Sequence, residues 1–254
     1  MKNIGFGTWK LNGPLLQELV EFAISLGYKY FDTADAYKNS EYLGHAIRNS
    51  SGESIHITSK IEPFKLISDD FCIDETLKAL GVNQIDSFLL HYYDDNVCME
   101  SCYKILENLV DEGSIKSWGV SNFNSKYILD CLNNGFRPKT NQVEFHPLLT
   151  QIELRSLCAK KNIDITAHRP FGRGALLQNE KIIEISNRYS ITPSELILSW
   201  ISSKGIKCYP KSENIEHLKK NLSSSMIIIY EKDIIKIDNL NEDKRYCTGP
   251  WLNL

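Results

Sequence analysis

No apolar run in the 254 residues approaches the roughly 20 that would span a bilayer. Nor does a charged leader with an apolar stretch open the chain. Met1-Lys2-Asn3 passes straight into a strand pattern, so no signal peptide is expected. Charge of one sign is scarce too. At −3 the chain carries no strong field for nucleic acid or an anionic membrane. No tract of proline, glycine or serine is long enough to divide domains. The seven cysteines (Cys72, Cys98, Cys102, Cys131, Cys158, Cys208 and Cys247) are odd in number and include no CxxC. That argues for thiols in a reducing compartment rather than a disulfide framework. Cys98 and Cys102 are four apart, but no His pair at ligand spacing joins them, and structural zinc wants four ligands. No metal site is expected. The reading is a soluble, cytoplasmic, monomeric protein with one domain over residues 1–254, and with neither nucleic acid nor membrane as partner.

What the chain does contain is a steady alternation of strand and helix patterns. Strand character appears at Ile4–Thr8, Lys29–Thr33, Ile55–Ser59, Ile85–Leu90, Ile115–Val120, Thr140–Phe145, Asp164–Ala167 and Ile206–Tyr209. Helical periodicity lies between them: Pro14–Leu26, Ser40–Asn49, Ser68–Leu80, Val97–Glu112, Ser125–Asn133 and Gln151–Lys161. It continues at Glu180–Arg188, Pro193–Ser203 and Asn214–Leu222, with an extra C-terminal helix at Glu231–Leu240. Eight strand–helix units imply a parallel sheet with helices outside, and eight strands can close a barrel filled by side chains. About 250 residues is the usual size of such a domain. An open doubly wound sheet would want a GxGxxG turn after an early strand. There is none, and Gly5-Phe6-Gly7-Thr8 has the wrong spacing.

Three strand patterns end on groups that carry chemistry. Asp32 closes Tyr28-Lys29-Tyr30-Phe31, with Tyr37 on the loop beyond it; Lys60 follows Ile55–Ser59; His91 follows Ile85–Leu90. In a βα-barrel that rim is where catalytic groups collect. The segments DTADAYKNSEYLG, TSK and LLH, with GFGTW at Gly5–Trp9, GVSNF at Gly119–Phe123, NQVEFHPL at Asn141–Leu148 and PKS at Pro210–Ser212, stand in an order that resembles the aldo-keto reductase family. The resemblance runs nearly end to end. It implies a single-domain α/β fold, the (β/α)8 TIM barrel, and reduction of aldehydes and ketones by NADP(H), preferred over NAD(H).

In the family, the positions matching Tyr37, Lys60, Asp32 and His91 form the catalytic tetrad. The chemistry agrees. A phenol near pKa 10 donates a proton poorly at neutral pH unless its conjugate base is stabilised. An ammonium at Lys60 would lower that pKa, Asp32 would hold the ammonium, and a His91 N–H would position a carbonyl oxygen. Taken singly, Asp32 reads as a helix-entry cap, Lys60 as a solvated charge and Tyr37 as a loop aromatic.

The resemblance also implies the cofactor contacts. Ser121, Asn122 and Gln142 match positions that bond the nicotinamide carboxamide. Gly7, Thr8, Trp9 and Asp32 match the rim beside its ribose. At the next loop the family commonly reads Ala-Tyr-Ser-Pro-Leu-Gly, with the tyrosine on the nicotinamide ring. This chain reads Ala167-His168-Arg169-Pro170-Phe171-Gly172-Arg173. His168 is expected to stack while neutral and to be able to charge near pH 6.5. Pro170, Phe171 and Gly172 shape this loop, whose Arg169 and Arg173 face either the pyrophosphate or solvent. Lys211 and Ser212 match the 2′-phosphate site. His217 stands where arginine is common and Lys220 where glutamate is frequent, while Asn221 is kept, so a reduced NADPH preference is expected.

Trp9, Tyr37, His91 and Tyr92 are expected to line the pocket for a small carbonyl substrate, with Glu62 adding polarity. The tail Cys247–Leu254 is short, which implies an open pocket, and the start lacks room for the family's closing hairpin. His146 reads as structural. Two other functions fit less well: an NADP(H)-binding partner subunit with little turnover, and a carboxylate-dependent hydrolase. The second would leave Tyr37 and Lys60 without purpose.

Overall fold

The computed structural model describes residues 3–50 and 54–249. Its elements follow one another as β1 (Phe6–Gly7), α1 (Gly13–Ser25), β2 (Tyr30–Asp32), α2 (Ser40–Asn49), β3 (His56–Ile61), α3 (Pro63–Leu66) and α4 (Ile73–Leu80). Then come β4 (Ser87–Leu90), α5 (Met99–Asp111), β5 (Trp118–Ser121), α6 (Ser125–Asn133), β6 (Thr140–Glu144), α7 (Ile152–Lys160) and β7 (Asp164–His168). The series ends with α8 (Glu180–Arg188), α9 (Pro193–Ser203), β8 (Lys207–Cys208), α10 (Ile215–Ser224) and α11 (Glu231–Asp238). All eight strands are parallel and pair in sequence order.

The sheet closes on itself where β8 meets β1. Gly5 N donates to Cys208 O at 2.8 Å, Cys208 N to Asn3 O at 2.9 Å, and Gly7 N to Pro210 O at 3.1 Å. This seam explains the glycines beside Phe6. A Cβ at Gly7 would come within 2.7 Å of the Tyr209 carbonyl oxygen, and one at Gly5 within 2.6 Å of the Tyr209 ring. Gly7, expected at the cofactor, thus has a packing reason of its own.

The helix starts are written locally. Thr192 and Glu195 make a reciprocal capping box with Pro193 behind it, and Asn12, Asn179 and Asn214 cap α1, α8 and α10. Such caps contribute about 1 kcal/mol each. One expected helix is shorter: residues 68–80 form a helix only from Ile73, and a separate short helix, α3, precedes that stretch. Pro63 suits a first helical position, whereas Ser68 bonds the Asp70 backbone and breaks the pattern. β1 and β8 are shorter than expected because at the seam Ile4 meets Cys208 only by an isolated bridge. Among the described residues no helix is long and apolar enough to cross a membrane.

Candidate active site at the C-terminal rim

Parallel strands deliver their last residues to one mouth of the barrel. Asp32 ends β2, Lys60 is the penultimate residue of β3, and His91 follows β4. Lys60 is 1% exposed. Its ammonium donates to both Asp32 carboxylate oxygens at 2.7 Å and to Thr33 O at 3.0 Å, and it also reaches the Tyr37 side chain. Burial alone would lower the Lys60 pKa, but the charge of Asp32 and the bonds to it outweigh burial and raise it. Gln142, from β6, donates its amide to Asp32 Oδ1 at 2.7 Å. Asp32 thus carries two side chains that are 28 and 110 residues away.

Tyr37 lies on the short 3-10 turn Asp35–Tyr37, with Lys60 Nζ 5.2 Å from its ring centroid. The ring meets His91 edge-on at 6.0 Å. Burial raises the Tyr37 pKa, and the opposing pull of Lys60 does not overcome it. The expected net lowering is therefore corrected: desolvation wins, and the phenol stays protonated at neutral pH. Burial, reinforced by Lys60 and Lys65, pushes the His91 imidazole down to about 3. It is neutral, with a buried Nδ1 that has no hydrogen-bond partner.

Two features hold the Tyr37 loop that the sequence pattern did not single out. Asn39 is buried, donates to Thr8 O at 3.0 Å and Leu11 O at 2.8 Å, and accepts from Thr33 Oγ1 at 2.7 Å. A chain of ion pairs, Lys38–Asp35 at 3.1 Å, Lys65–Asp35 at 2.6 Å and Lys65–Glu62 at 3.1 Å, ties the turn to α3. The i,i+3 spacing of Glu62 and Lys65 was visible, but their link to Asp35 was not. Tyr92 stands beside His91 at 6.1 Å between ring centroids, and burial raises its pKa, as do Glu62 and Asp94.

Ser121, Asn122, Gln142 and His168 form one connected rim. Ser121 Oγ donates to Gln142 O at 2.9 Å. Asn122 donates to His91 O at 2.9 Å, and its Oδ1 shares a 2.9 Å bond with His168 Nε2. Asn122 holds φ +62°, a left-handed conformation that asparagine tolerates. Burial, aided by Arg169, pushes His168 down to about 3 against the pull of Glu144. The expectation that it charges near pH 6.5 is therefore corrected; this imidazole stays neutral.

The loop after β7 is covered by the chain's C-terminal segment. Glu144 is wholly buried and accepts the backbone N–H groups of Tyr246 and Cys247, both at 2.8 Å, with His146 Nε2 at 3.1 Å. Against burial, these bonds hold its carboxyl below the usual range. His146 has the structural role read for it. Arg169 donates to Tyr246 O at 3.4 Å and lays its guanidinium over the Trp9 ring at 5.1 Å. A Cβ at Gly172 would collide with Leu176 and Tyr246, and its φ of +53° suits glycine. Pro170 is buried and Phe171 packs on the core, while Arg173 stands exposed. The segment to 247 thus packs on the rim; the rest of the tail expected to leave the pocket open lies partly outside the described residues.

Farther out, Lys211 pairs with Glu213, and Ser212 Oγ accepts from Asn214 N at 3.1 Å. His217 is exposed in the first turn of α10, and its N–H is capped by Asn214. Asn221 is 3% exposed and turned inward, so it does not share the open face of Lys211 and His217. The donor set suits a phosphorylated dinucleotide: amides and hydroxyls at the rim, with Arg173, Lys211 and the α10 N-terminus beyond. Among the described residues no group of three or more His, Cys, Asp or Glu could hold a metal.

A sequence model of the Aldo/keto reductase family matches residues 3–242. The chain is 33% identical to a 9,11-endoperoxide prostaglandin H2 reductase of Trypanosoma cruzi, over 98% of this chain and 91% of that protein. It is 33% identical to a glyoxal reductase of Bacillus subtilis, covering 97% and 91%. It is 32% identical to an aldehyde reductase of Saccharomyces cerevisiae, covering 98% and 91%. Among solved structures, an aldo-keto reductase from a Medee basin deep-sea metagenome superposes with TM-score 0.92 at 29% identity, covering 100% of this chain and 96% of that one. The aldose reductase of Schistosoma japonicum does so with TM-score 0.85 at 29% identity, covering 94% and 89%. Eight parallel strands in sequence order, a rim built from Asp32, Tyr37, Lys60 and His91, and this likeness over nearly the whole length place the chain in the aldo/keto reductase family of oxidoreductases.

Proposed function

We propose that the protein reduces small aldehydes or ketones to alcohols with NADPH, Tyr37 giving the proton. The observation that carries this is the buried Asp32–Lys60 pair, with the Tyr37 ring centroid 5.2 Å from the ammonium and the same ring edge-on to His91 at 6.0 Å. The reduced nicotinamide, when bound, supplies the hydride. Neutral His91 offers one ring N–H to a carbonyl oxygen and so fixes where negative charge develops. Tyr37 O–H gives its proton to that oxygen. Lys60, held charged by Asp32, then stabilises the phenolate left behind. Burial keeps the phenol loaded, and the ammonium makes its loss affordable only once a basic oxygen is at hand. Trp9 and Tyr92 supply aromatic walls for the substrate.

Thr8, Ser121, Asn122 and Gln142 would hold the nicotinamide end, His168 its ring face, and Arg173, Lys211, Ser212 and His217 the phosphates. Glu213 competes for Lys211, which makes the preference for NADP(H) over NAD(H) modest. The same reading takes the enzyme as a cytoplasmic monomer, which sedimentation tests. The first experiment follows NADPH absorbance with a generic carbonyl substrate such as a nitrobenzaldehyde, with Tyr37→Phe as control. Turnover that depends on the Tyr37 hydroxyl supports the proposal; no NADPH oxidation by the unaltered protein overturns it. Equal initial rates with NADH and NADPH at matched concentration would remove the assignment of Lys211.

A further inference from the structure

The opposite mouth of the barrel carries a second polar constellation that carbonyl reduction does not use. The first residues of β3, β4, β6, β7 and β8, namely His56, Ser87, Thr140, Asp164 and Lys207, converge there around a cavity of about 170 Å3. Its floor is Thr58, the register partner of Asp32, whose hydroxyl meets the Tyr209 hydroxyl at 3.2 Å. The cavity adjoins a groove of about 710 Å3 that shares Thr140, Asp164, Thr166 and Lys207.

The side chains around the cavity define what would bind. Lys207 stands over the Tyr30 ring at 3.8 Å, and among the described residues no carboxylate lies within ion-pair distance of it. Asp164, the acid on the wall, is loosely engaged by Lys139 at 3.9 Å. Thr166 is 8% exposed, lines the cavity, and its hydroxyl has no hydrogen-bond partner. Buried hydroxyls are normally paired, so the Thr166 hydroxyl is a donor at the cavity wall that the described residues leave unused. Ser87 makes only long contacts, 3.4 Å to His56 Nε2 and 3.5 Å to Ser117 Oγ, and is easily re-aimed. Burial lowers the Lys207 pKa against the pull of Asp164 and Asp86.

We propose that this mouth is a binding site for a small tetrahedral oxyanion of the phosphate type, held by the Lys207 ammonium and the Thr166 and Ser87 hydroxyls. At about 30 Å3 per water, the cavity holds such an ion with a few waters. The adjoining groove would take the organic part of a small phosphate ester. This goes beyond the reduction proposed above and uses none of its residues.

The test titrates inorganic phosphate, and separately glycerol phosphate, into the full chain by calorimetry. Saturable binding is expected with a Kd of about 1–10 mM. Lys207→Met should weaken it at least about tenfold, and Thr166→Val by about threefold, while Lys232→Met, exposed on α11, leaves it unchanged. Tighter binding of the ester assigns the groove; equal binding assigns the free ion. Should Lys207→Met fail to give a cooperative melt, Thr166→Val and Lys207→Gln carry the test. No saturable binding, binding indifferent to the Lys207 and Thr166 substitutions, or binding lost only in Lys211→Met would overturn the proposal.

Discussion

The two mouths of this barrel each hold a lysine, and they treat it in opposite ways. At the C-terminal mouth Lys60 is buried, and its ammonium is held by Asp32 and Thr33 O beside Tyr37. At the N-terminal mouth Lys207 leans on an aromatic face, and among the described residues it makes no ion pair, feeling Asp164 and Asp86 only at longer range. An ammonium so engaged as Lys60 has little room for a ligand, but it can act on a neighbour such as Tyr37. One without an ion pair can take a ligand directly. Burial without a counter-ion is expensive, which is why Lys60 comes with Asp32 while Lys207 stays nearer solvent.

The sharpest way to break the contrast is at the C-terminal mouth. Tyr37→Phe is expected to lower kcat/KM by about 10²–10⁴-fold with little change in melting temperature, read by NADPH oxidation and calorimetry. Asp32→Asn leaves Lys60 with a neutral partner and disturbs Gln142 as well. Breaking such a buried pair costs about 3–5 kcal/mol, to be read from denaturant unfolding. A loss below about 1 kcal/mol would mean the pair is better solvated than its geometry indicates.

Protonation gives a third, smaller effect. His91 and His168 both sit near pKa 3 when folded and at 6.5 when unfolded. The folded state therefore refuses protons that the unfolded state accepts. Stability should be intact above pH 6.5 and fall as pH drops from there toward 3, by about 1.4 kcal/mol per unit for each histidine. His168→Tyr should roughly halve that slope, and should bind the cofactor at least as tightly in a fluorescence titration. The smallest effect is expected at the other mouth: Lys207→Met should leave kcat/KM within about twofold, since a charge change at the far end of the barrel is screened from the reacting groups. A larger drop would show that the mouths communicate, through Thr58 and Tyr209.

Much of this was legible in the sequence, for identifiable reasons. The alternation of apolar strands and capped helices reads directly, so Ser40–Asn49, Glu180–Arg188 and Pro193–Ser203 fall on the expected residues. Asp32, Tyr37, Lys60 and His91 were readable because strand ends must share a rim. Asn39 was hidden because it stands before a helix, like any cap, and only the third dimension brings Thr8 and Leu11 to it. Glu144 was hidden because its partners, Tyr246 and Cys247, are more than 100 residues away. The balance between burial and charge at Tyr37 was beyond reach, since it depends on how much protein surrounds the phenol. The N-terminal mouth gave no motif at all; Thr166 and Lys207 are ordinary residues until a cavity is drawn around them.

The seam between residues 3–7 and 207–210 imposes an order on the life of the chain. At roughly 5–20 residues per second, β1 emerges from the ribosome some 10–40 seconds before the strand that will cover its outer edge. During that interval the half-built cylinder presents an unfinished border, and the glycines that later admit Tyr209 leave it thinly clad. Sealing therefore comes late in synthesis, with only α10, α11 and the C-terminal segment still to follow, and a delay or error there prolongs the exposure of an open-sided nascent chain.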